Sequence, residues 1–248
     1  MCGGHVDVIS STTNDYSDTS SKGLLIYNPQ RDEWRSGPDM TESRIGAVSG
    51  VFGGSMVIVG GHGYLPGHYT ATDLLSGERF CHETRAWKPI SDVPYNINGA
   101  TACVLNDRLF VIGGIRSKKL LIWNKTTDTW TEGASMHTTR YGGVCVVLNG
   151  KIMVIGGFEN SSRSSSYSVI FYDMMKDTWE NGLPLPILCP HYNVVKHCET
   201  IFLFGRGKTL KFENDKWSVL TFGDPFVSLK LNENIIWCHA HSLIITHI

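Results

Sequence analysis

No stretch of this chain reaches the roughly 18 consecutive apolar residues that a membrane-spanning helix needs. Its start, Met1-Cys2-Gly3-Gly4-His5, lacks the basic segment and apolar run of a secretory leader, so none is expected. Neither sign of charge dominates: 22 Lys and Arg stand against 23 Asp and Glu, for a net charge of −1. That balance offers no broad field to nucleic acid or to an anionic membrane. The seven cysteines are odd in number and scattered, which argues against a disulfide framework and for thiols in a reducing compartment. The cytoplasm, or alternatively the nucleus, is the expected location. The triplets Asn124-Lys125-Thr126 and Asn160-Ser161-Ser162 are read as chance without a leader.

Signatures of catalysis are missing too. Glycine pairs end apolar runs here and do not open helices, so no phosphate-cradling loop is present. No Gly-x-Ser-x-Gly elbow or paired carboxylate stands out. Cys238-His239-Ala240-His241 has metal-ligand residue types. In a strand, however, His239 and His241 would share a face while Cys238 points away, leaving two ligands where zinc takes three or four. The run Arg116-Ser117-Lys118-Lys119 places three charges in one loop, which reads as a solvated loop more than a nucleic-acid surface. No cofactor, metal, nucleic acid or membrane partner is expected, and no enzymatic activity.

What the chain does have is repetition. Four segments share one frame: Ser55–Gly61, Arg108–Gly114, Lys151–Gly157 and Thr200–Arg206. Each is a polar residue, four apolar residues and a glycine signal. A short apolar run ended by glycine reads as a strand buried on both faces. Downstream, an aromatic residue precedes a tryptophan by seven positions: Tyr27/Trp34, Phe80/Trp87, Trp123/Trp130 and Tyr172/Trp179. A fifth copy, Phe212/Trp217, is shorter by two. Six residues past the Trp an apolar side chain recurs at Met40, Val93, Met136 and Leu185, and Gly223 breaks the series. Turn residues Asn106-Asp107 and Asn149-Gly150 sit before the second and third Gly-Gly segments.

Each unit therefore reads as four strands, a to d, with a tight a–b turn, Gly-Gly after strand b, a variable b–c loop, an aromatic on strand c and Trp on strand d. A lone four-stranded sheet that is apolar on both faces cannot hide them. Stacking such sheets around an axis buries both and leaves only short edges. The expected fold is all-β, a propeller of four-stranded antiparallel blades, in one domain spanning 1–248.

The Gly-Gly pairs, the downstream aromatics and the Trp spacing resemble the kelch repeat, with Arg140-Tyr-Gly-Gly through Asp177-Thr-Trp179 the fullest copy. The resemblance covers nearly the whole chain and implies a kelch-type β-propeller. Kelch propellers usually have six blades. About six repeat units with incomplete first and last blades are expected, five-bladed closure being the alternative. Gly3-Gly4 reads as the end of a first strand b, followed by a polar b–c loop from His5 to Lys22. Phe226–Leu231 and Asn234–Cys238 read as a final a–b pair.

By that resemblance the chain is a protein-protein interaction module, in the setting of a ubiquitin-ligase substrate adaptor or a scaffold. Binding would sit on the face where b–c and d–a loops emerge, since loops vary freely on a rigid frame. Arg and Tyr dominate binding hot spots, and Arg pairs bidentately with carboxylates. The candidate partner-binding residues are Arg44, Arg116, Arg140 and Arg163, to grip an acidic or polar peptide segment, with Tyr64, Tyr141 and Tyr192 supplying rigid apolar area. The competing interpretation of Arg44 and Arg140 is that they brace the repeat. The competing class is a propeller enzyme acting on a small sugar-like substrate at the channel mouth. Some kelch-like propellers are enzymes, but no Glu here has the Asp four residues on that a metal-dependent thioglucoside-processing site would show.

Overall fold

In the computed structural model the described residues are 6–8, 22–28, 31–52, 55–63, 72–81, 83–159, 165–188, 193–205, 208–220, 229–231 and 234–236. Among them every regular element is a strand. Four sheets have four antiparallel strands each, ordered a-b-c-d in chain order. Blade 2 comprises Val48–Phe52, Ser55–Val59, Gly77–Cys81 and Ala86–Ile90. Blade 3 comprises Thr101–Leu105, Arg108–Ile112, Leu120–Asn124 and Thr129–Gly133. Blade 4 comprises Val144–Leu148, Lys151–Ile155, Val169–Asp173 and Thr178–Asn181. Blade 5 comprises Asn193–His197, Thr200–Gly205, Lys208–Glu213 and Lys216–Leu220.

Blade 1 differs from the reading above. Val6–Val8 pairs with Leu25–Asn28, which pairs with Glu33–Ser36, so a strand occupies the start of the segment assigned to the first b–c loop. Its alternating Val-Asp-Val is a period-2 strand signal in the sequence. Leu229–Leu231 pairs with Asn234–Ile236 in a sheet separate from blade 1.

Strand b explains the four-residue apolar runs. Leu109 and Val111 turn toward blade 2, in a cluster with Val48, Val57, Val59 and Ile90. Phe110 and Ile112 turn the other way, toward Cys145, Ile152, Val154 and Tyr172 of blade 4. Successive side chains on a strand point to opposite faces, so a strand sandwiched between two sheets must be apolar at every position. Each such side chain contributes about 1.5–3 kcal/mol on burial, against about 1 kcal/mol net for a hydrogen bond. Apolar stacking between blades therefore dominates stability. Between sheets, the first strands touch in series: blade 2 to 3, 3 to 4, and 4 to 5. That is the arrangement of innermost strands about a common axis.

The aromatic spacing becomes a cross-strand pair. Phe80 faces Trp87, Trp123 faces Trp130, Tyr172 faces Trp179 and Phe212 faces Trp217, with ring centroids 4.8–6.4 Å apart. The fifth copy is shorter because its c–d connection is Asn214-Asp215, both at positive φ (50° and 56°), the signature of a two-residue hairpin turn. The a–b turns Asn106-Asp107 and Asn149-Gly150 have the same left-handed pair.

The Trp indoles latch each blade to the one before. Trp87 Nε1 donates to Pro38 O at 2.8 Å, Trp130 to Ser91 O at 2.9 Å, Trp179 to Ala134 O at 2.7 Å and Trp217 to Leu183 O at 3.0 Å. Two residues before the Trp, an Asp at positive φ adds a second hold. Asp128 accepts from Ser91 N at 3.0 Å, and Asp177 accepts from Ala134 N at 2.7 Å. So Ser91 and Ala134 each have N–H and C=O claimed by the following blade. Pro38 has no N–H to give, and the residue two before Trp87 is Arg85. The recurring apolar residue is anchored similarly, with Met40, Val93, Met136 and Leu185 buried and each N–H bonded to a backbone carbonyl that precedes strand c of its own sheet.

The Tyr172 hydroxyl and the Ala134 N–H hold the Asp177 carboxyl below the usual Asp range. Its folded pKa lies below its unfolded one, so its stabilisation is present above about pH 4 and is lost as pH falls through the depressed value. Asp177→Asn should therefore lower the thermal midpoint at about pH 7, by a margin that narrows as the pH is taken well below about 4. A midpoint difference that stays constant across that range would remove this role.

Candidate functional site

The b–c and d–a segments meet at one end of the sheets through a repeated backbone device. Gly46, Gly99 and Gly142 occupy matching places before strand a and all have positive φ (66°, 75° and 64°). The residue before each lies against the residue following a Gly-Gly pair. Ile45 and His62 exchange two backbone bonds of 2.8 Å, Ile115 N donates to Asn98 O at 2.8 Å, and Tyr141 pairs with Phe158. Gly142 N in turn donates to Gly99 O at 2.8 Å, tying the blade 4 entry to the blade 3 entry.

Arg44 and Arg140 brace this frame from within. The Arg44 side chain is 0% exposed. Its Nη1 donates to Gly60 O at 3.1 Å and Ser76 O at 2.8 Å. Its Nη2 reaches Glu42 at 2.9 Å and Glu78 at 3.2 Å. Glu78, 2% exposed, also accepts from Thr41 N at 2.8 Å. Arg140 repeats the plan in blade 4, with Nη1 on Gly156 O at 2.5 Å and Nη2 on Glu159 at 2.6 Å and on the Ser168 hydroxyl. Burial opposes ionisation of Glu159, but hydrogen bonds from Ser168 and Ser166 and the Arg140 guanidinium hold its carboxyl below the normal range. Burial pulls Arg140 down and Glu159 opposes it. In blade 3 the matching position is Ile97, which joins the apolar cluster and needs no carboxylate.

These facts correct the assignment of Arg44 and Arg140 as partner-gripping residues. Their guanidinia are buried and spent on backbone carbonyls and internal carboxylates. Arg116 is exposed at positive φ (60°) on the short blade 3 b–c loop, with Lys118 exposed beside it. Tyr141 is half-buried on the rim and stacks on Phe158, centroids 5.1 Å apart. Arg116 and Tyr141 thus share one face. Tyr64, Arg163 and Tyr192 lie outside the described residues, as does Cys238-His239-Ala240-His241.

The sequence pattern alone singles out none of Ile45, Ile115 and Phe158. Ile45 and Ile115 are 53% and 52% exposed. Their shared placement is a signal once the fold is known: these are the residues that follow Arg44 and the Gly-Gly pairs. Beside them His62 Nδ1 meets Asp73 at 3.1 Å, and Asp73 also accepts from Asn98 Nδ2 at 3.2 Å and from Asn96. Among the described residues no three His, Cys, Asp or Glu side chains gather as metal ligands would, and no helix is long and apolar enough to cross a membrane.

Stacked four-stranded sheets whose innermost strands touch in series define a β-propeller, and the solved structure of YjhT shares the arrangement. It superposes with a TM-score of 0.65 at 14% identity, covering 81% of this chain and 74% of that one. The Kelch motif matches residues 98–137 and 139–185. Kelch-like protein 35 of Mus musculus is 33% identical over 106 residues, 42% of this chain and 18% of its own. Kelch-like protein 23 of Homo sapiens is 26% identical over 65% of this chain and 28% of its own, and Beta-scruin of Limulus polyphemus is 25% identical over 71% and 20%. This chain carries two Kelch motifs and is similar to kelch-repeat proteins. It spans between 18% and 28% of the length of these curated relatives.

Proposed function

We propose that this chain binds another protein through the face formed by its b–c and d–a segments, and that it recognises without catalysing. The observation that carries the reading is a rigid frame with an outward rim. Arg44, Arg140 and the repeated backbone bonds fix the loop roots, while Arg116, Lys118 and Tyr141 stand at the surface. Preorganised loops lose little entropy on association, which favours binding. Kelch-repeat proteins typically act in protein-protein interaction, and relatives named Kelch repeat and BTB domain-containing protein 12 join such repeats to a second domain. The proposed setting is recognition of a target protein for a larger assembly such as a ubiquitin ligase, or scaffolding.

The test is crosslinking of captured partners followed by mass spectrometry, with wild type and with an Arg116→Ala/Arg163→Ala variant. Crosslinks should map to 113–119 and 140–142, and the double variant should capture less. Crosslinks confined to the opposite end, at the Asn106-Asp107 and Asn149-Gly150 turns, or capture equal to wild type, would overturn the reading.

A further inference from the structure

Among the described residues the rim is not a basic clamp but an apolar notch with cations on one flank. Gly99 forms its floor. A Cβ placed there would lie 3.3 Å from the Tyr141 Cβ and 3.4 Å from Ile115 Cγ1, so the two side chains stand on either side of a residue that has none. Phe158 backs Tyr141 by stacking, and a Cβ on Gly142 would meet the Phe158 ring at 3.5 Å. Toward blade 2 the arc continues past Asn98, whose Oδ1 lies 3.9 Å from a Cβ placed on Gly46, to the half-exposed Ile45. Four apolar side chains from three blades thus surround one end of the axis. Exposed aliphatic and aromatic groups gathered this way mark interaction sites on soluble proteins.

The charges around the notch are asymmetric. The carboxylates near it are already held: Asp73 by His62, Asn96 and Asn98, and Glu159 by Arg140, Ser166 and Ser168. Arg116 and Lys118 follow Ile115 on the same loop, are exposed, and make no ion pair with any described residue. With the guanidinia of Arg44 and Arg140 turned inward, an all-acidic peptide would find, among the described residues, cations on one side and Asp73 on the other.

Resting on the protein-binding reading above, we infer that the occupant is a turn of another protein that presents one branched-aliphatic or aromatic side chain beside a carboxylate. The apolar group enters between Ile115 and Tyr141 over Gly99. The carboxylate meets Arg116 and Lys118. Affinity comes mainly from the desolvated apolar anchor, and the exposed charge pair fixes orientation.

The experiment pans a phage-displayed library of random, disulfide-closed peptide loops against the whole chain. Enriched loops should carry Leu, Ile, Phe or Tyr next to Asp or Glu. Their affinity should fall at least about tenfold for Ile115→Asp, stay within about twofold for Ile115→Leu, and fall a few-fold for Arg116→Ala. Because Ile115 is half exposed, Ile115→Asp should keep the wild-type thermal midpoint; Ile115→Ser replaces it if it does not. Loops weakened by Arg116→Ala yet indifferent to Ile115→Asp would remove the notch and leave the binding face standing. Loops indifferent to both variants, or no enrichment at all, would remove both.

Discussion

Alanine at position 113 will destabilise the chain far more than alanine at position 150. Both glycines have nearly the same positive φ, 75° and 73°. A side chain in that region costs about 1–2 kcal/mol from its own backbone, and this applies to Gly113→Ala and Gly150→Ala alike. The surroundings differ. Around Gly150 nothing lies within 4 Å of a new Cβ, whereas at Gly113 it would sit 2.2 Å from the carbonyl oxygen of Arg140. That oxygen accepts from Gly114 N at 2.8 Å, a bond joining the blade 3 b–c loop to the entry of blade 4. It cannot retreat without losing the bond, so overpacking adds about 1–3 kcal/mol more. Urea denaturation should place Gly150→Ala about 1–2 kcal/mol below wild type and Gly113→Ala about 3 kcal/mol or more below. Equal losses would show that left-handed backbone alone, and not the close approach of two segments, requires glycine after strand b.

Removing the Arg44 guanidinium should cost about 3–5 kcal/mol, the usual effect of breaking a buried ion pair from one side. Arg44→Ala leaves Glu78 enclosed with the N–H of Thr41 and the longer bond from Glu42 N, and leaves the Gly60 and Ser76 carbonyls without their shared donor. A smaller polar substitute cannot span all five acceptors, which are the Gly60 and Ser76 carbonyls, the Ser76 hydroxyl, Glu42 and Glu78. Because Arg44 and Glu78 touch, Arg44→Ala and Glu78→Leu should be non-additive. The double variant should be more stable than the summed single losses predict, by about 1 kcal/mol or more. Blade 3 supplies a natural counterpart, since Ile97 stands where Arg44 and Arg140 stand and packs among Val57, Val59 and Leu109. Simple additivity would mean that the guanidinium acts through the carbonyls alone and that Glu78 is indifferent to it.

The repeated elements were legible in the sequence because two-sided burial writes itself as composition. Leu109-Phe110-Val111-Ile112 has no polar position, since both faces meet another blade. The Tyr172–Trp179 spacing held because the cross-strand pair fixes it, and the shorter Phe212–Trp217 spacing reflects a shorter turn. The strand at Val6–Val8 was missed because its run of three alternating residues is too brief to stand out beside a polar loop.

The candidate site was less legible. Arg44 and Arg140 look alike in sequence whether they face a partner or their own carbonyls. What decides is the position of Gly60 O, Ser76 O, Gly156 O and Ser168 O, which no side-chain identity encodes. Ile45, Ile115 and Phe158 went unnoticed because a single apolar residue in a loop is ordinary. Only the fold brings three loops together at one end of the axis.

The latch between blades has a consequence for how such a chain can drift. Its receiving half is main chain: Trp87, Trp130, Trp179 and Trp217 take hold of the carbonyls of proline, serine, alanine and leucine with equal ease. Every amino acid carries that oxygen, so the docking point is blind to identity and free to mutate, while the indole that grips it has no substitute of the same reach. Half of each indole joint is thereby silent in the letters of the sequence, and inheritance can preserve the seams by guarding the Trp and, in blades 3 and 4, the Asp two residues before it.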